Sequence, residues 1–149
     1  MNKFVYRMQN ILDIKLKLEE QERANFAMAM MRLEQEKQKL MELYARKADY
    51  EEKTRMALRD TLSITEIKYC RHAIDAMRSA IRTQMIEVHV QEKNVEQARA
   101  KLNEVMSDRK THEKLKEYAF DAYKAEYAKE EEKEIDQSVT YRYTTSDSQ

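Results

Sequence analysis

Residues 63–105 read SITEIKYCRHAIDAMRSAIRTQMIEVHVQEKNVEQARAKLNEV, and this stretch decides the fold. Steps of alternately three and four residues from Ile67 to Val105 visit twelve positions, ten of them apolar, and the residues between them are largely charged. Two apolar positions in every seven predict a helix whose apolar strip, here called the seam, packs in a left-handed coiled coil.

The first half of the chain carries a weaker form of the same pattern. The same stepping from Val5 to Glu51 visits fourteen positions, of which eight are apolar. Residues 13–18 alternate with a period of two, but no second strand candidate exists to pair with them, so we interpret about 4–60 as one helix. The predicted seam positions of this helix are Val5, Gln9, Leu12, Leu16, Glu19, Arg23, Phe26, Met30, Leu33, Lys37, Leu40, Tyr44, Lys47 and Glu51.

The two helical stretches are separated at Ser63. The run Ser63-Ile64-Thr65-Glu66 fits a capping box, which starts a new helix. A short connection makes two helices antiparallel neighbours. The predicted fold is therefore all-α, a long antiparallel two-helix coiled-coil hairpin, with a turn at about 61–63 and a second helix over about 64–136. Residues 1–136 form a single hairpin in this interpretation, and the Ser- and Thr-rich residues 137–149 form a disordered tail. The alternative is one uninterrupted helix in a parallel homodimer.

The composition excludes several function classes. The chain has no glycine and no proline in 149 residues, so it lacks the residues that phosphate-binding loops and tight hairpin turns require. Its 28 basic and 28 acidic residues balance, which gives no electrostatic footprint for nucleic acid. The longest apolar run, residues 26–31, is too short for a membrane span, and residues 1–4 do not begin a signal peptide, so we expect a cytoplasmic protein.

Candidate catalytic and metal-binding residues are isolated from one another. His72, His89 and His112 lie far apart along the helices, and Cys70 falls on the seam, where a buried structural cysteine is the simpler interpretation. We predict no catalytic residue, no metal site, no cofactor and no small-molecule substrate, because a coiled-coil hairpin also offers no concave pocket.

Apolar residues are concentrated where the two termini of the hairpin would meet. Six of the twelve aromatic residues lie there: Phe4, Tyr6, Tyr118, Phe120, Tyr123 and Tyr127. The apolar residues of positions 4–18 also spread around the helix further than one neighbouring helix can cover. This end is the predicted partner-binding surface. Four methionines that fall off the predicted seam are further partner-facing candidates: Met8, Met28, Met31 and Met41.

Three ordered segments resemble the FliJ family, the coiled-coil stalk proteins of bacterial flagellar type III export. They are Phe4-x-Tyr6-x-Met8-x-x-Ile11-Leu12-Asp13, Leu62-Ser63-Ile64-Thr65-Glu66-Ile67-x-x-Cys70, and Glu134-Ile135-Asp136-Gln137 followed by Arg142-Tyr143. The resemblance covers nearly the whole chain. It implies a non-enzymatic protein that inserts its joined termini into the hexameric export ATPase.

The resemblance also implies partners and site residues. The implied partners are the export ATPase, the cytoplasmic region of the membrane export gate and the export chaperones. The implied location is peripheral, at the cytoplasmic face of the membrane of the flagellar base. The capping box and the two seams predict that the hairpin alone is monomeric. The implied ATPase-binding residues are Phe4, Tyr6, Met8, Ile11, Leu12, Tyr123, Tyr127, Glu134, Asp136 and Arg142. The implied gate-binding residues are Ala73, Ile74 and Met77. The competing interpretation is a scaffold hairpin without a specific ATPase partner.

Overall fold

Two long helices account for most of the chain in a computed structural model that describes residues 2–59 and 63–147. Helix α1 spans Gln9–Arg59 and helix α2 spans Ile64–Asp147, and the described residues contain no strand. The two helices pack against each other, so the predicted all-α hairpin is confirmed. The predicted turn at about 61–63 falls mainly on residues 60–62, which lie outside the described residues.

Helix α2 starts at the predicted cap. The backbone N–H of Glu66 donates to Ser63 Oγ at 3.4 Å, and the N–H of Ile67 donates to the Ser63 carbonyl at 3.1 Å. A serine hydroxyl at this position satisfies one of the backbone donors that a helix start leaves open. Because α1 and α2 of one chain pack against each other, the single uninterrupted helix of a parallel homodimer is excluded.

The seam of α2 lies where its heptads predict it. All twelve positions from Ile67 to Val105 are buried or half-buried. Five of them are almost fully buried: Cys70, Ile81, Val88, Val95 and Leu102. The prediction for the second helix is confirmed at every position, and Cys70 is a buried free thiol on the seam.

The seam of α1 differs from its prediction at alternate positions. Leu16, Arg23, Met30, Lys37 and Tyr44 are exposed, whereas the preceding residue is in each case buried or half-buried. The buried or half-buried residues from Leu12 onwards are Leu12, Lys15, Glu19, Glu22, Phe26, Ala29, Leu33, Glu36, Leu40, Leu43, Lys47, Tyr50, Thr54 and Ala57, with Glu51 beside them. The stepping order fails at these positions because the polar residues Lys15, Glu22 and Glu36 and the small Ala29 occupy the seam, while the apolar Leu16 and Met30 are exposed.

The polar seam residues of α1 find partners on α2. The Arg109 guanidinium donates to both carboxylate oxygens of Glu19, at 2.6 and 3.2 Å, and to Glu113 at 2.8 Å. These carboxylates raise the pKa of Arg109, with the hydrogen bond to Glu19 as the largest cause. The Gln84 amide donates to the Glu36 carbonyl at 3.0 Å and to its carboxylate at 2.5 Å. A buried carboxylate is tolerated only when it is paired in this way.

The chain divides into two compact units, each of which contains a piece of both helices. One unit comprises Met1–Glu20 with Glu104–Gln149, and the other comprises Gln21–Asn103. In the first unit Lys15 Nζ lies 2.7 Å from Asp108 Oδ2 and Phe4 contacts Phe120, so α1 and α2 run antiparallel there. In the second unit Glu22 faces Lys101 and Tyr50 faces Tyr69, which gives the same direction.

Both outer helix ends differ from the prediction. Helix α1 begins at Gln9 instead of about residue 4, and α2 continues to Asp147, through most of the predicted disordered tail of 137–149. The hydroxyls of Thr140 and Thr144 donate to the carbonyls of Asp136 and Thr140, at 2.8 and 2.9 Å. Such bonds to the preceding turn let threonine continue a helix, so a Ser- and Thr-rich composition did not exclude one here.

Candidate functional site

An aromatic cluster joins the N-terminal segment to residues 120–127 of α2 within the first unit. The Phe4 ring lies 5.1 Å from the Phe120 ring and 5.3 Å from the Tyr123 ring, measured between centroids, and Tyr127 lies 6.2 Å from Tyr123. Edge-to-face and tilted contacts at these distances are favourable beyond the area they bury. The predicted meeting of terminal aromatic residues is therefore confirmed for these four rings, whereas Tyr118 is exposed beside Lys114.

The segment before α1 is held in this cluster without being helical. The Tyr123 hydroxyl donates to the Asn2 carbonyl at 2.8 Å, and the Gln9 N–H donates to the Tyr6 carbonyl at 3.2 Å. The Tyr6 hydroxyl is buried and has no hydrogen-bond partner among the described residues. Residues 2–7 line an open groove of about 1010 Å³ against Ala119, Tyr123 and Glu126.

The first turns of α1 expose apolar side chains on the side away from the seam. Leu12 is buried, at 4% exposure, but Met8 and Ile11 are exposed. Ile14 is 56% exposed, and Leu16 and Leu18 are also exposed. Ile14, Leu16 and Leu18 are absent from the predicted site, although the excess of apolar residues at positions 4–18 pointed to a second apolar face of this kind.

The C-terminal arm, residues 124–145 of α2, has an exposed residue at every position. It carries the predicted site residues Tyr127, Glu134, Asp136 and Arg142, together with four further exposed apolar residues: Ile135, Val139, Tyr141 and Tyr143. An isolated helix of this length is marginal in water, because most helical stability in proteins comes from packing. Val139, Tyr141 and Tyr143 are absent from the predicted site because the sequence predicts a disordered tail over 137–149. Ile135 belongs to the third resembling segment but is also absent from the predicted site.

The predicted gate-binding residues lie in the second unit and face inward. Ala73, Ile74 and Met77 are all half-buried, and Ile74 and Met77 belong to the seam. The more exposed apolar residues of the same stretch are Ile64, at 69%, and Tyr69, at 66%. Their positions were not singled out by the sequence pattern.

The methionines divide differently from the prediction. Met30 was placed on the seam, but it is 49% exposed, and Met28, Met31 and Met41 are exposed as expected of residues off the seam. Unbranched, polarisable methionine side chains suit adaptable contacts. The four exposed methionines make the outer face of α1 in the second unit apolar.

The chemistry available at these surfaces is apolar contact with a charged border. Over residues 2–59 and 63–147, no three His, Cys, Asp or Glu side chains are grouped so that they could hold a metal ion. No helix within the same ranges has both the length and the apolar character that crossing a bilayer would take. The arrangement is suited to binding a protein through a broad, non-directional surface.

Comparison with known families gives one finding. The chain matches the model of the FliJ family, described as flagellar FliJ protein, over residues 3–148. No curated protein and no solved structure matches it. The match covers essentially the whole chain, so the predicted family resemblance is confirmed.

Proposed function

Because this chain belongs to the FliJ family, and is therefore a component of the flagellar protein export apparatus, we propose that it acts as a stalk for the hexameric export ATPase. FliJ proteins are non-catalytic components of that apparatus. In the proposal, the end that contains the aromatic cluster and the C-terminal arm inserts into the ATPase ring. The ATPase-binding residues remain those implied by the resemblance, with Ile135 and Val139 added.

The observation that carries the proposal is the C-terminal arm, in which 22 consecutive residues of a regular helix are exposed. A helix that exposes Ile135 and Val139, at 62% and 58%, gains stability from a partner that covers them. Apolar contacts are non-directional, so they tolerate the mismatch between a two-helix stalk and a six-fold ring.

The proposal extends to three finer points. The monomeric stalk reaches the cytoplasmic region of the export gate through the stretch around Ala73, Ile74 and Met77, and it receives empty export chaperones. It works at the cytoplasmic face of the membrane of the flagellar base. The half-buried state of the three gate residues means that gate contact would involve their exposed neighbours as well, such as Tyr69.

The test replaces Ile135 and Val139 together by alanine and measures stimulation of the export ATPase. Alanine keeps the helix, because it is the best helix former, so a loss reports the missing side chains. Each of the two aliphatic side chains contributes about 1 kcal/mol when the partner covers it, so the half-saturating concentration should rise about thirtyfold.

The matched control is Met56→Ala with Leu58→Ala. These two side chains are 59% and 58% exposed, which matches the exposed fractions of Ile135 and Val139, but they lie in the second unit. Stimulation by this control should equal that of the unchanged chain. If both double variants stimulate fully, the scaffold interpretation explains the protein better than the stalk does.

A further inference from the structure

The segment that precedes α1, residues 2–8, is non-helical although its sequence does not require this. It reads NKFVYRM and contains neither glycine nor proline. Phe, Val and Tyr are only moderately worse helix formers than alanine, and the helix resumes at once from Gln9. The non-helical conformation therefore depends on contacts with α2.

Those contacts are few, and one of them is unfavourable. Phe4 lies against Phe120 and Tyr123, and the Tyr123 hydroxyl donates to the Asn2 carbonyl at 2.8 Å. Against this, the Tyr6 hydroxyl is buried without a hydrogen-bond partner among the described residues. Burying a hydroxyl without a hydrogen bond lowers the stability of this conformation. Val5 is 79% exposed and adds little.

An alternative conformation would recover what the observed one lacks. If α1 extended to about residue 3, the N–H groups of Met8 and Asn10 would donate to the carbonyls of Phe4 and Tyr6 in the i to i−4 pattern. The Tyr6 hydroxyl would return to solvent, and the contacts of Phe4 would be lost. Few interactions are exchanged in either direction, which is the condition for two conformations of similar free energy.

We propose that residues 2–8 form a releasable clasp. Closed, it covers the groove along Ala119 and Tyr123. Open, it lengthens α1 and uncovers the Phe120–Tyr123 face, together with Phe4 and Tyr6, for a protein partner. This inference rests on the proposed function, because the partner that selects the open form is the export ATPase. Binding would shift the equilibrium by the difference between the partner's affinities for the two forms.

The main test compares Arg7→Pro with Arg7→Ala. The turn closed by the Gln9 N–H and the Tyr6 carbonyl places Arg7 at its second position, where proline is favoured. Proline there is compatible with the closed clasp but blocks an extended helix, since it would lie in the interior of that helix. Both variants remove the same charge. Arg7→Pro should bind the ATPase at least fivefold more weakly than Arg7→Ala, and equal binding would overturn the clasp.

A second test needs no partner. Tyr123→Phe keeps the ring but removes the hydrogen bond to Asn2, so it should favour the open form and slow hydrogen exchange at the amides of Met8 and Asn10 about threefold. Tyr118→Phe removes a hydroxyl from an exposed neighbour and should change nothing. Unchanged exchange in Tyr123→Phe would overturn the clasp.

The two tests separate the clasp from the proposed function. If the unchanged chain does not bind the ATPase at all, the stalk proposal fails, and the exchange measurement alone decides whether the clasp exists. If the unchanged chain binds, protection at Met8 and Asn10 should increase in the complex, and absence of that increase would contradict the opening step.

Discussion

The two helices share one seam but fill it with different residues. On α2 the most buried positions are apolar, including Ile81, Val88 and Val95. On α1 two of the most buried residues are Glu19 and Glu22, at 6% and 7% exposure, and a third is the small Ala29. The seam of α2 is therefore apolar at ten of its twelve positions, whereas the seam of α1 mixes apolar residues with paired charges.

This difference explains where the apolar side chains of α1 are found. Leu16, Met30 and Tyr44 each lie one residue from a seam position and are exposed. One residue turns the side chain by about 100° around a helix, so Leu16 and Met30 face outward, whereas the Tyr44 hydroxyl still reaches Met85 Sδ of α2 at 4.0 Å. An apolar outer face on a helix that already has a neighbour indicates a second binding surface.

The largest effect is expected on the apolar side of the seam. Ile81→Asp buries a carboxylate at a position that is 6% exposed and should lower the free energy of unfolding by about 3–5 kcal/mol. Arg78→Ala should change it by less than about 0.5 kcal/mol, because Arg78 is exposed and its 3.7 Å pair with Asp75 is on the surface. Urea unfolding followed by circular dichroism measures both. Equal effects would mean that the wrong face of α2 has been assigned to the seam.

An intermediate effect is expected from neighbouring positions on α1. Ala29→Glu introduces a carboxylate into the seam, at 9% exposure, and should cost about 2 kcal/mol. Met30→Glu alters a side chain that is 49% exposed and should stay within about 0.5 kcal/mol. The same unfolding experiment compares them. A larger cost at Met30 would restore the seam predicted from the heptads and contradict the register described above.

The sequence predicted those features that local patterns determine. Ten apolar residues at heptad spacing predicted the α2 seam, and the serine cap predicted where α2 starts. The α1 register could not be read in this way, because Glu22 and Glu36 take the seam positions expected for Arg23 and Lys37. Their partners, Lys101 and Gln84, lie on α2, far away in the sequence. Heptad counting treats each helix alone and scores such residues as solvent-facing.

The candidate site was predictable to a similar extent. The positions of the aromatic residues predicted that Phe4 and Tyr123 would meet, because this contact requires only that the helices run antiparallel. It did not predict that residues 2–8 are non-helical, since their local sequence is compatible with a helix and the contact of Phe4 with Phe120 involves a residue far away in the sequence. The C-terminal arm was missed beyond residue 136, since serine and threonine are only moderately worse helix formers than alanine and their abundance does not exclude a helix.

The smallest effect concerns the hydrogen bond between Gln84 and Glu36, through which α2 supports a polar seam residue of α1. The Gln84 amide, and to a lesser extent Lys39, lowers the pKa of the Glu36 carboxyl below its usual 4.5. A carboxyl with a lowered folded-state pKa stabilises the fold at pH values above its unfolded-state pKa, and that contribution is lost as pH falls through the folded-state value. Gln84→Leu should therefore raise the pKa of Glu36 towards 4.5 without reaching it, because Lys39 remains. NMR titration of the Glu36 side-chain carboxyl measures the change.

Gln91→Leu is the matched control, since Gln91 is also a half-buried seam glutamine of α2 but donates to Glu87 of its own helix. An identical Glu36 midpoint in the unchanged chain and in Gln84→Leu would show that the carboxylate does not depend on α2, and the contrast between the two helices would then rest on Glu19 and Glu22 alone.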